Sequence, residues 1–329
     1  MAIDEHLETF AGKTMYDWNV ESGIQNPATS IPRIALSWEQ SEAKQTWLDH
    51  FKAFLTGRRV ADSSQKFTTF LQDVQASEIT GLVVGSWQFY SGEEDSSQPV
   101  VEALVAAREK LPYLTALFLG DILSEENEIS WIIQSDVSPL FQAFPNLQIF
   151  GVRGAQDLKF SALNHENLKT LIVESGGLAA QTVCEILGAD LPELEHLELW
   201  LGTDEYGGDT TVADLQALLA GDLFPNLKTL GLRNSIIVDE LAAALAGAPV
   251  VERLQTLDLS LGILTDAGAQ SLLQSDRVRR LKKLDLHHHF CSAEIVSQLE
   301  NLDIEVDASD PQVAEDYDGA TYRYVAVSE

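Results

Sequence analysis

Three consecutive histidines, at positions 287–289, are the residues of this sequence best suited to bind a metal ion. They follow Leu286, which has the pattern of a strand residue, and in an extended strand only His287 and His289 point to the same side. One ion would therefore need further ligands from neighbouring strands. We favour the alternative that the imidazoles are surface or partner-contact groups, so no metal and no cofactor are expected. If a metal ion is bound, the candidates for its further ligands are the carboxylates of Asp258, Asp285 or Glu305.

The two cysteines lack the surroundings of catalytic nucleophiles. Cys184 lies in a segment with helical apolar spacing, Cys291 closely follows the histidines, and neither has a base at a suitable spacing. We expect both to be small buried apolar residues, and their wide separation favours a reducing compartment over a disulfide framework. The sequence also contains no phosphate-binding loop, dinucleotide fingerprint or nucleophile elbow, and residues 204–209 do not keep the ligand spacing of an EF-hand. We therefore do not expect an enzyme.

The charge balance argues against partners that present phosphate backbones. The chain carries 21 Lys and Arg against 51 Asp and Glu, a formal net charge of -30, which would repel nucleic acid. No apolar run approaches the roughly 18–20 residues that span a bilayer, and the first ten residues are acidic where a signal peptide would be basic. We expect a soluble, cytoplasmic protein with no nucleic-acid or membrane partner, and with a protein partner that presents a basic face.

One pattern, apolar-x-x-apolar-x-apolar, recurs down most of the chain. The second and third apolar residues of each copy are two apart, so they share one side of a strand and leave the intervening residues on the other side. From Ile79 to Leu299 the copies begin 18 to 35 residues apart, which is the scale of a repeat built from a strand and a helix. Clear copies begin at Leu114, Leu168, Leu194, Leu227, Leu254 and Leu281, and weaker ones at Ile31, Ile79, Leu147 and Leu299.

Each predicted strand is followed by signals of a helix. Leu215, Leu218 and Leu219 have helical apolar spacing. Thr265 or Asp266 is placed to cap a later helix, and prolines two residues before several strands end the helix before them. The pattern predicts an α/β fold in which repeated strands, each with one side in the core, alternate with outer helices.

These repeats resemble the long, ribonuclease-inhibitor-like class of leucine-rich repeat, and residues 265–269, after Leu264, are especially similar to that class. The resemblance implies a horseshoe with parallel strands on the concave face and helices on the convex face, capped at both ends. Taken end to end, the chain also resembles a family of bacterial leucine-rich-repeat proteins through residues 6–12 and 322–327. That second resemblance implies no known activity.

Solenoid ends expose a cross-section of the core, so the terminal segments are expected to cover it. Near the first end we predict a helix with Trp47, Phe51 and Phe54 on one face, and at the other end a final strand over residues 322–327. The predicted division is an N-terminal cap with a candidate degenerate first repeat at 1–78, a leucine-rich-repeat solenoid at 79–304, and an acidic C-terminal cap at 305–329.

The residues flanking the second and third apolar positions of each copy are predicted to form the concave face. Phe118, Ile149 and Ile172 fall on adjacent strands, where they either form an exposed interface patch or are covered by an N-terminal loop. The outermost predicted contributions to this face are Arg33, Ala35 and Ser37 from the first copy and Asn301, Asp303 and Glu305 from the last.

The second region of interest on this face surrounds Trp200, an aromatic anchor amid charged residues. That composition is favoured at binding hot spots. The alternative is ordinary surface decoration, with Glu198 and Arg233 forming an exposed cross-strand pair worth well under ~1 kcal/mol. The predicted partner-binding residues are His196, Glu198, Trp200, Arg233, Asp258, Asp285 and His287.

Three functions are compatible with the sequence. We favour a non-catalytic protein-binding module or scaffold that uses the concave face, because repeats and caps consume almost the entire chain. The alternative is a regulator or inhibitor of a partner enzyme, by fold-level analogy with ribonuclease-inhibitor-like proteins. A metal-dependent enzyme built on the histidine cluster is the least favoured hypothesis.

Overall fold

A computed structural model describes residues 3–36, 63–87 and 96–329. The strands in these ranges are β1 (Thr9–Phe10), β2 (Lys13–Asp17), β3 (Ser30–Ile34), β4 (Gly81–Val84), β5 (Ala116–Leu119), β6 (Ile149–Arg153), β7 (Thr170–Glu174), β8 (His196–Gly202), β9 (Thr229–Ser235), β10 (Thr256–Asp258), β11 (Lys283–Asp285), β12 (Glu305–Asp307), β13 (Glu315–Tyr317) and β14 (Ala320–Tyr322). The α-helices are α1 (Ser63–Gln72), α2 (Gln98–Ala106), α3 (Ser138–Ala143), α4 (Ala180–Leu187), α5 (Gln216–Leu219), α6 (Val238–Gly247), α7 (Asp266–Leu273) and α8 (Ala293–Glu300).

Twelve of the strands form one sheet in which every strand neighbours the next one in sequence. β1 pairs antiparallel with β2, and all pairs from β2 to β12 are parallel. Parallel neighbours require a crossover connection, and helices or short 3-10 turns lie in most of these connections, whereas those from β2 to β3 and from β6 to β7 are irregular. The chain is therefore an α/β, solenoid-like fold. The predicted division at residues 78 and 304 stays a prediction, since this one sheet runs across both positions.

The second apolar position of each repeat forms a continuous buried row along the sheet. The register places Leu197 beside Leu230 and Leu230 beside Leu257, and all three side chains are fully buried, as the repeat pattern predicts. Residues of α2, α6 and α7 belong to the same apolar cluster, so the helices cover this side of the sheet. The other members of the row are Leu82, Leu117, Phe150, Leu171 and Leu284.

In the described residues, two α-helix starts are capped by side chains. The Thr265 hydroxyl accepts a hydrogen bond from the Ala267 N–H at the start of α7, and the Ser292 hydroxyl accepts one from the Ile295 N–H at the start of α8. Each satisfies one of the backbone donors that a helix start leaves unpaired. Of the two residues that the sequence offers as the cap of α7, the structure uses Thr265.

The predicted register of the first repeat is wrong by two residues. Ile34 pairs with Val84, so it occupies the third apolar position of its copy and Pro32 takes the second. Ile31 therefore points to the face opposite the helices, where it packs with Phe10 and Val83. Arg33 and Ala35 keep the predicted side, because a shift of two preserves the alternation of a strand.

The predicted register of the last repeat is also wrong. Leu299 ends up in α8 and Leu302 between α8 and the strand. β12 begins at Glu305, and its Asp307 pairs with Asp285. Asn301 and Asp303 therefore precede the strand instead of lining its face.

The predicted final strand over residues 322–327 does not join the main sheet. Ala320–Tyr322 instead pairs antiparallel with Glu315–Tyr317 in a separate hairpin. The predicted helix with Trp47, Phe51 and Phe54 lies outside the described residues, as does Ser37. No helix in the described ranges combines the length and the apolar character needed to cross a membrane.

Candidate functional site

The face of the sheet opposite the helices, here called the front face, carries a row of acidic side chains on its later strands. Register places Glu198 on β8 opposite Gly231, Gly231 opposite Asp258, and then Asp285 and Asp307. Adjacent strands are about 4.8 Å apart, so these carboxylates form a closely spaced line. We call Glu198, Asp258, Asp285 and Asp307 the acidic row.

Glu198 is the most extensively paired member of the acidic row. Its carboxylate accepts hydrogen bonds of 2.8 Å from the Arg233 guanidinium and 2.8 Å from the Trp200 indole N–H, and His196 Nε2 lies 3.3 Å away. Burial alone would raise the pKa of Glu198. The hydrogen bonds from His196 and Trp200 and the charge of Arg233 outweigh burial and lower that pKa to about 2. Glu198 is therefore held as a carboxylate throughout the physiological range.

Arg233 links two members of the row. Its guanidinium contacts Glu198 and lies 3.3 Å from an Asp258 carboxylate oxygen, while its Nε donates to the Ser260 hydroxyl at 2.9 Å. It also lies 5.2 Å from the centroid of the Trp200 ring, within range of a cation–π contact. Burial raises the pKa of Asp258, and Arg233 opposes that rise. The predicted exposed cross-strand pair is thus a largely buried network.

Asp285 and His287 form a second unit on the next strand. His287 Nδ1 lies 2.6 Å from an Asp285 carboxylate oxygen, and the Lys283 ammonium lies 2.9 Å from the other oxygen. The hydrogen bond to Asp285 raises the pKa of His287. Burial opposes ionisation of Asp285, but its hydrogen bonds from His287 and Lys283 hold its pKa well below the usual range.

Asp307 lies beside Asp285 and His287, and together these three side chains form a group whose atoms are of the types that bind metal ions. One ligand atom each from Asp285, His287 and Asp307 lie within 4.8 Å of one another. The sequence offered Glu305 for this place, and the register shift of the last repeat puts Asp307 there instead. The Lys283 ammonium already neutralises part of the carboxylate charge, which weakens the attraction for a cation.

The strand argument for the three histidines is wrong, because β11 ends at Asp285 and His288 has a φ of 60°, so the alternation of an extended strand does not apply to them. His288 Nε2 lies 3.2 Å from the carbonyl oxygen of Tyr324, and His289 Nε2 lies 3.0 Å from the carbonyl oxygen of Ala308. Both rings are buried and serve to tie loops to the sheet edge. Only His287 belongs to the front-face site.

Trp200 is not an exposed anchor, and the hot-spot prediction needs correction at this residue. Its side chain is 8 % exposed, because Ile129, Leu261, Ala326 and Val327 pack around it. The covering residues come from the segments after β5 and after β10 and from residues 326–327.

The apolar patch predicted on the earlier strands is covered as well. Phe10 packs edge-on against Phe118 with ring centroids 5.8 Å apart, and Leu7 and Ile149 belong to the same cluster. Of the two possibilities that the sequence left open for Phe118 and Ile149, covering by an N-terminal segment is the one observed. Ile172 stands apart from that cluster and is half-buried.

Sequence reasoning missed a buried ion-pair chain beneath the N-terminal segment. Asp121 is fully buried and contacts Arg33 at 3.4 Å, Arg153 at 3.3 Å and His6 at 3.2 Å. Burial would raise the pKa of Asp121, but the hydrogen bond from His6 and the charges of Arg153 and Arg33 lower it. Arg153 also donates to Glu174 at 2.7 Å. The repeat pattern did not single out Asp121, because this residue lies after strand β5 and not within it.

The two cysteines differ in environment. Cys184 is exposed, contrary to the prediction that both are buried. Burial, with the nearby charges of Asp266 and Asp239, raises the pKa of Cys291 to about 12. Since the thiolate is the reactive form, Cys291 is a poor nucleophile at neutral pH.

A shallow hollow of about 340 Å³ adjoins the acidic row at the amino-terminal ends of the strands. His196, Thr170 and Thr229 line it together with Lys169 and Lys228. The Lys228 ammonium is already paired with Glu195 at 2.7 Å. This edge therefore presents polar side chains of both signs, in contrast to the acidic row.

No protein-family profile matches the sequence, and no curated protein matches it. Among solved structures, the chain is similar to a protein from Bacteroides fragilis, a target of the Northeast Structural Genomics Consortium. The two share 32% sequence identity with a TM-score of 0.72, over 80% of this chain and 73% of the other.

Proposed function

This chain belongs to the same family as the Bacteroides fragilis protein of known structure, and from that premise we propose that it is a leucine-rich-repeat protein that binds a protein partner. In this proposal the sheet and helices form a horseshoe of the ribonuclease-inhibitor-like class, with the front face as its concave side and both ends capped. The in-register leucine row and the helices packed on one face of the sheet support this. The proposed module is cytoplasmic and performs no catalysis of its own.

The acidic row is the observation that carries the proposal. It lies on rigid strands and its side chains are fixed by hydrogen bonds within the protein, so little conformational entropy is lost when a partner binds. On the front face from β8 to β12, acids outnumber bases: Glu198, Asp258, Asp285, Glu305 and Asp307 stand against Arg233 and Lys283.

This surplus of negative charge defines the chemistry of the partner. Glu305 is exposed and Asp307 half-buried, so Lys or Arg side chains on a partner can reach both. Complementary charge steers association and sets orientation more than it sets affinity. With a net charge of -30 on the whole chain, association should be faster at low ionic strength and should weaken as salt is raised.

The test compares two charge-reversal pairs in affinity capture from cell extract. Glu305→Lys with Asp307→Lys changes the front face. Asp276→Lys with Glu300→Lys, at exposed positions beside α7 and in α8, makes the same change in net charge elsewhere. We expect the front-face pair to lose the specific basic partner and the control pair to retain it. Equal retention, or equal loss, by the two pairs would refute the proposal.

A further inference from the structure

Residues 324–329, here called the strap, occupy a groove on the front face. Val325, Ala326 and Val327 are only 5, 1 and 4 % exposed. Ala326 and Val327 pack against Trp200 and Leu261 in an apolar cluster separate from the main core. The groove therefore buries the three central residues of the strap almost completely, while Tyr324 and Glu329 at its ends stay exposed.

The groove recognises the backbone of the segment that it holds. Asn234 is fully buried, and its side-chain amide pairs with both polar groups of Val327. Its oxygen accepts from the Val327 N–H at 3.0 Å, and its NH₂ donates to the Val327 carbonyl. The Ala326 N–H donates to the Leu261 carbonyl at 2.8 Å. Contacts of this kind serve any extended peptide, as in recognition by strand addition.

Beyond Val327 the groove continues with polar contacts. The Ser130 hydroxyl donates to the carbonyl of Ser328, and the Tyr206 hydroxyl donates to the carboxylate of Glu329. A Cβ atom added to Gly176 would lie 2.3 Å from the Ser328 carbonyl oxygen, so only glycine leaves room for the peptide there. The groove thus selects a small residue between two branched aliphatic ones, followed two residues later by an acid.

The strap is attached to the sheet through a solvent-exposed hairpin. Every residue from Glu315 to Tyr324 is exposed, and the hairpin is tied at its base by the Gln312 N–H, which donates to the His289 carbonyl at 2.7 Å. Isolated two-stranded hairpins are marginally stable. The strap can therefore leave its groove without breaking the main sheet.

We propose that this groove is an exchangeable peptide-binding site, in which the strap holds the place of an extended segment of a partner protein with the same chemistry. The inference rests on the proposed function, because it assumes that the front face binds proteins, and it adds a second site with its own specificity. Because the strap is tethered to the rest of the chain, its effective concentration at the groove is on the order of millimolar. A partner segment therefore competes with the strap, and release of the strap uncovers Trp200.

The test uses the folded full chain with a protease site inserted between Asp318 and Gly319, at the exposed turn of the hairpin. After cleavage, a fluorescein-labelled peptide of residues 322–329 is titrated and its anisotropy is followed. We expect the labelled peptide to replace the cleaved fragment and to bind the nicked chain at least tenfold more tightly than the uncut chain. A peptide with Ala326→Trp or Val327→Asp should bind at least tenfold more weakly, because the groove is filled at these positions.

The proposal is overturned if the labelled peptide does not bind a nicked chain whose circular dichroism spectrum is the same as that of the uncut chain. It is equally overturned if both altered peptides bind as well as the original one. Raised salt should leave peptide exchange unchanged and weaken capture of the basic partner, since the groove holds the strap through apolar packing and hydrogen bonds to uncharged groups. Loss of peptide exchange alone removes this inference, whereas indifference of capture to Glu305→Lys and Asp307→Lys removes the proposed function.

Discussion

Replacing Glu198 by glutamine removes the charge at the centre of the front-face network and keeps the shape of the side chain. The pKa of Glu198 is lowered from 4.5 to about 2 in the folded protein, and each unit of pKa shift corresponds to about 1.4 kcal/mol. Relative to its protonated form, the ionised carboxylate therefore stabilises the fold by about 3 kcal/mol. We expect Glu198→Gln to lose most of that, because Arg233 and Trp200 then face a neutral amide.

The pH dependence of this loss follows from the sign of the shift. A depressed carboxyl pKa contributes stability that is fully present above the unfolded value near 4.5 and declines as pH falls towards 2. At pH 3.5, one unit below the unfolded pKa, about two-fifths of the contribution is gone. The difference between wild type and Glu198→Gln should shrink by that amount between pH 7 and pH 3.5.

The assay is urea-induced unfolding followed by tryptophan fluorescence, at both pH values, for wild type, Glu198→Gln and the control Glu193→Gln. Glu193 is exposed on the same repeat. Glu193→Gln removes an exposed carboxylate, so the difference between the two variants reports the loss of the Glu198 charge together with its effect on the neighbours Glu174 and Arg233. A difference of less than about 0.5 kcal/mol at pH 7, or one that does not change with pH, would contradict the network described here.

Three further predictions follow from the core, the cysteines and the histidine. Leu257→Ala should lower the free energy of unfolding by about 2–5 kcal/mol in urea titrations, and no change would contradict a shared interior along the repeats. Cys184 should react with iodoacetamide at pH 8 much faster than Cys291, as read by peptide mass spectrometry, and equal rates would contradict the burial of Cys291. Elemental analysis of untagged protein should find metal well below one equivalent, whereas one equivalent that His287→Ala removes would show that the Asp285–His287–Asp307 group binds a cation.

The middle of the fold was predictable because the apolar spacing fixes strand register. Leucines two apart within each repeat define the buried side, and neighbouring repeats then align Leu197, Leu230 and Leu257. The terminal repeats were placed wrongly for physical reasons. A residue pair three apart, such as Leu299 and Leu302, suits the end of a helix as well as the start of a repeat, and the core position of β3 is occupied by Pro32 instead of leucine.

Which side chains lie next to one another in the site was predictable from the sequence to a similar extent. Which segments of the chain cover the site was not. Strand register is enough to place Glu198, Arg233 and Asp258 side by side. The strap and the N-terminal segment carry no periodic signal, and they reach the front face through contacts between residues far apart in sequence, such as Asn234 with Val327. The apolar spacing within a repeat does not predict contacts between residues so far apart in sequence.

Photo-crosslinking from the front face is the most direct test of the proposed function. A benzoylphenylalanine at Ser309, an exposed residue next to the acidic row, is compared with one at Ser297 on α8. We expect a single basic protein to be crosslinked from position 309 and not from position 297, and we expect raised salt to abolish the product. Equal crosslinking from both positions, or a partner captured only from position 297, would contradict it.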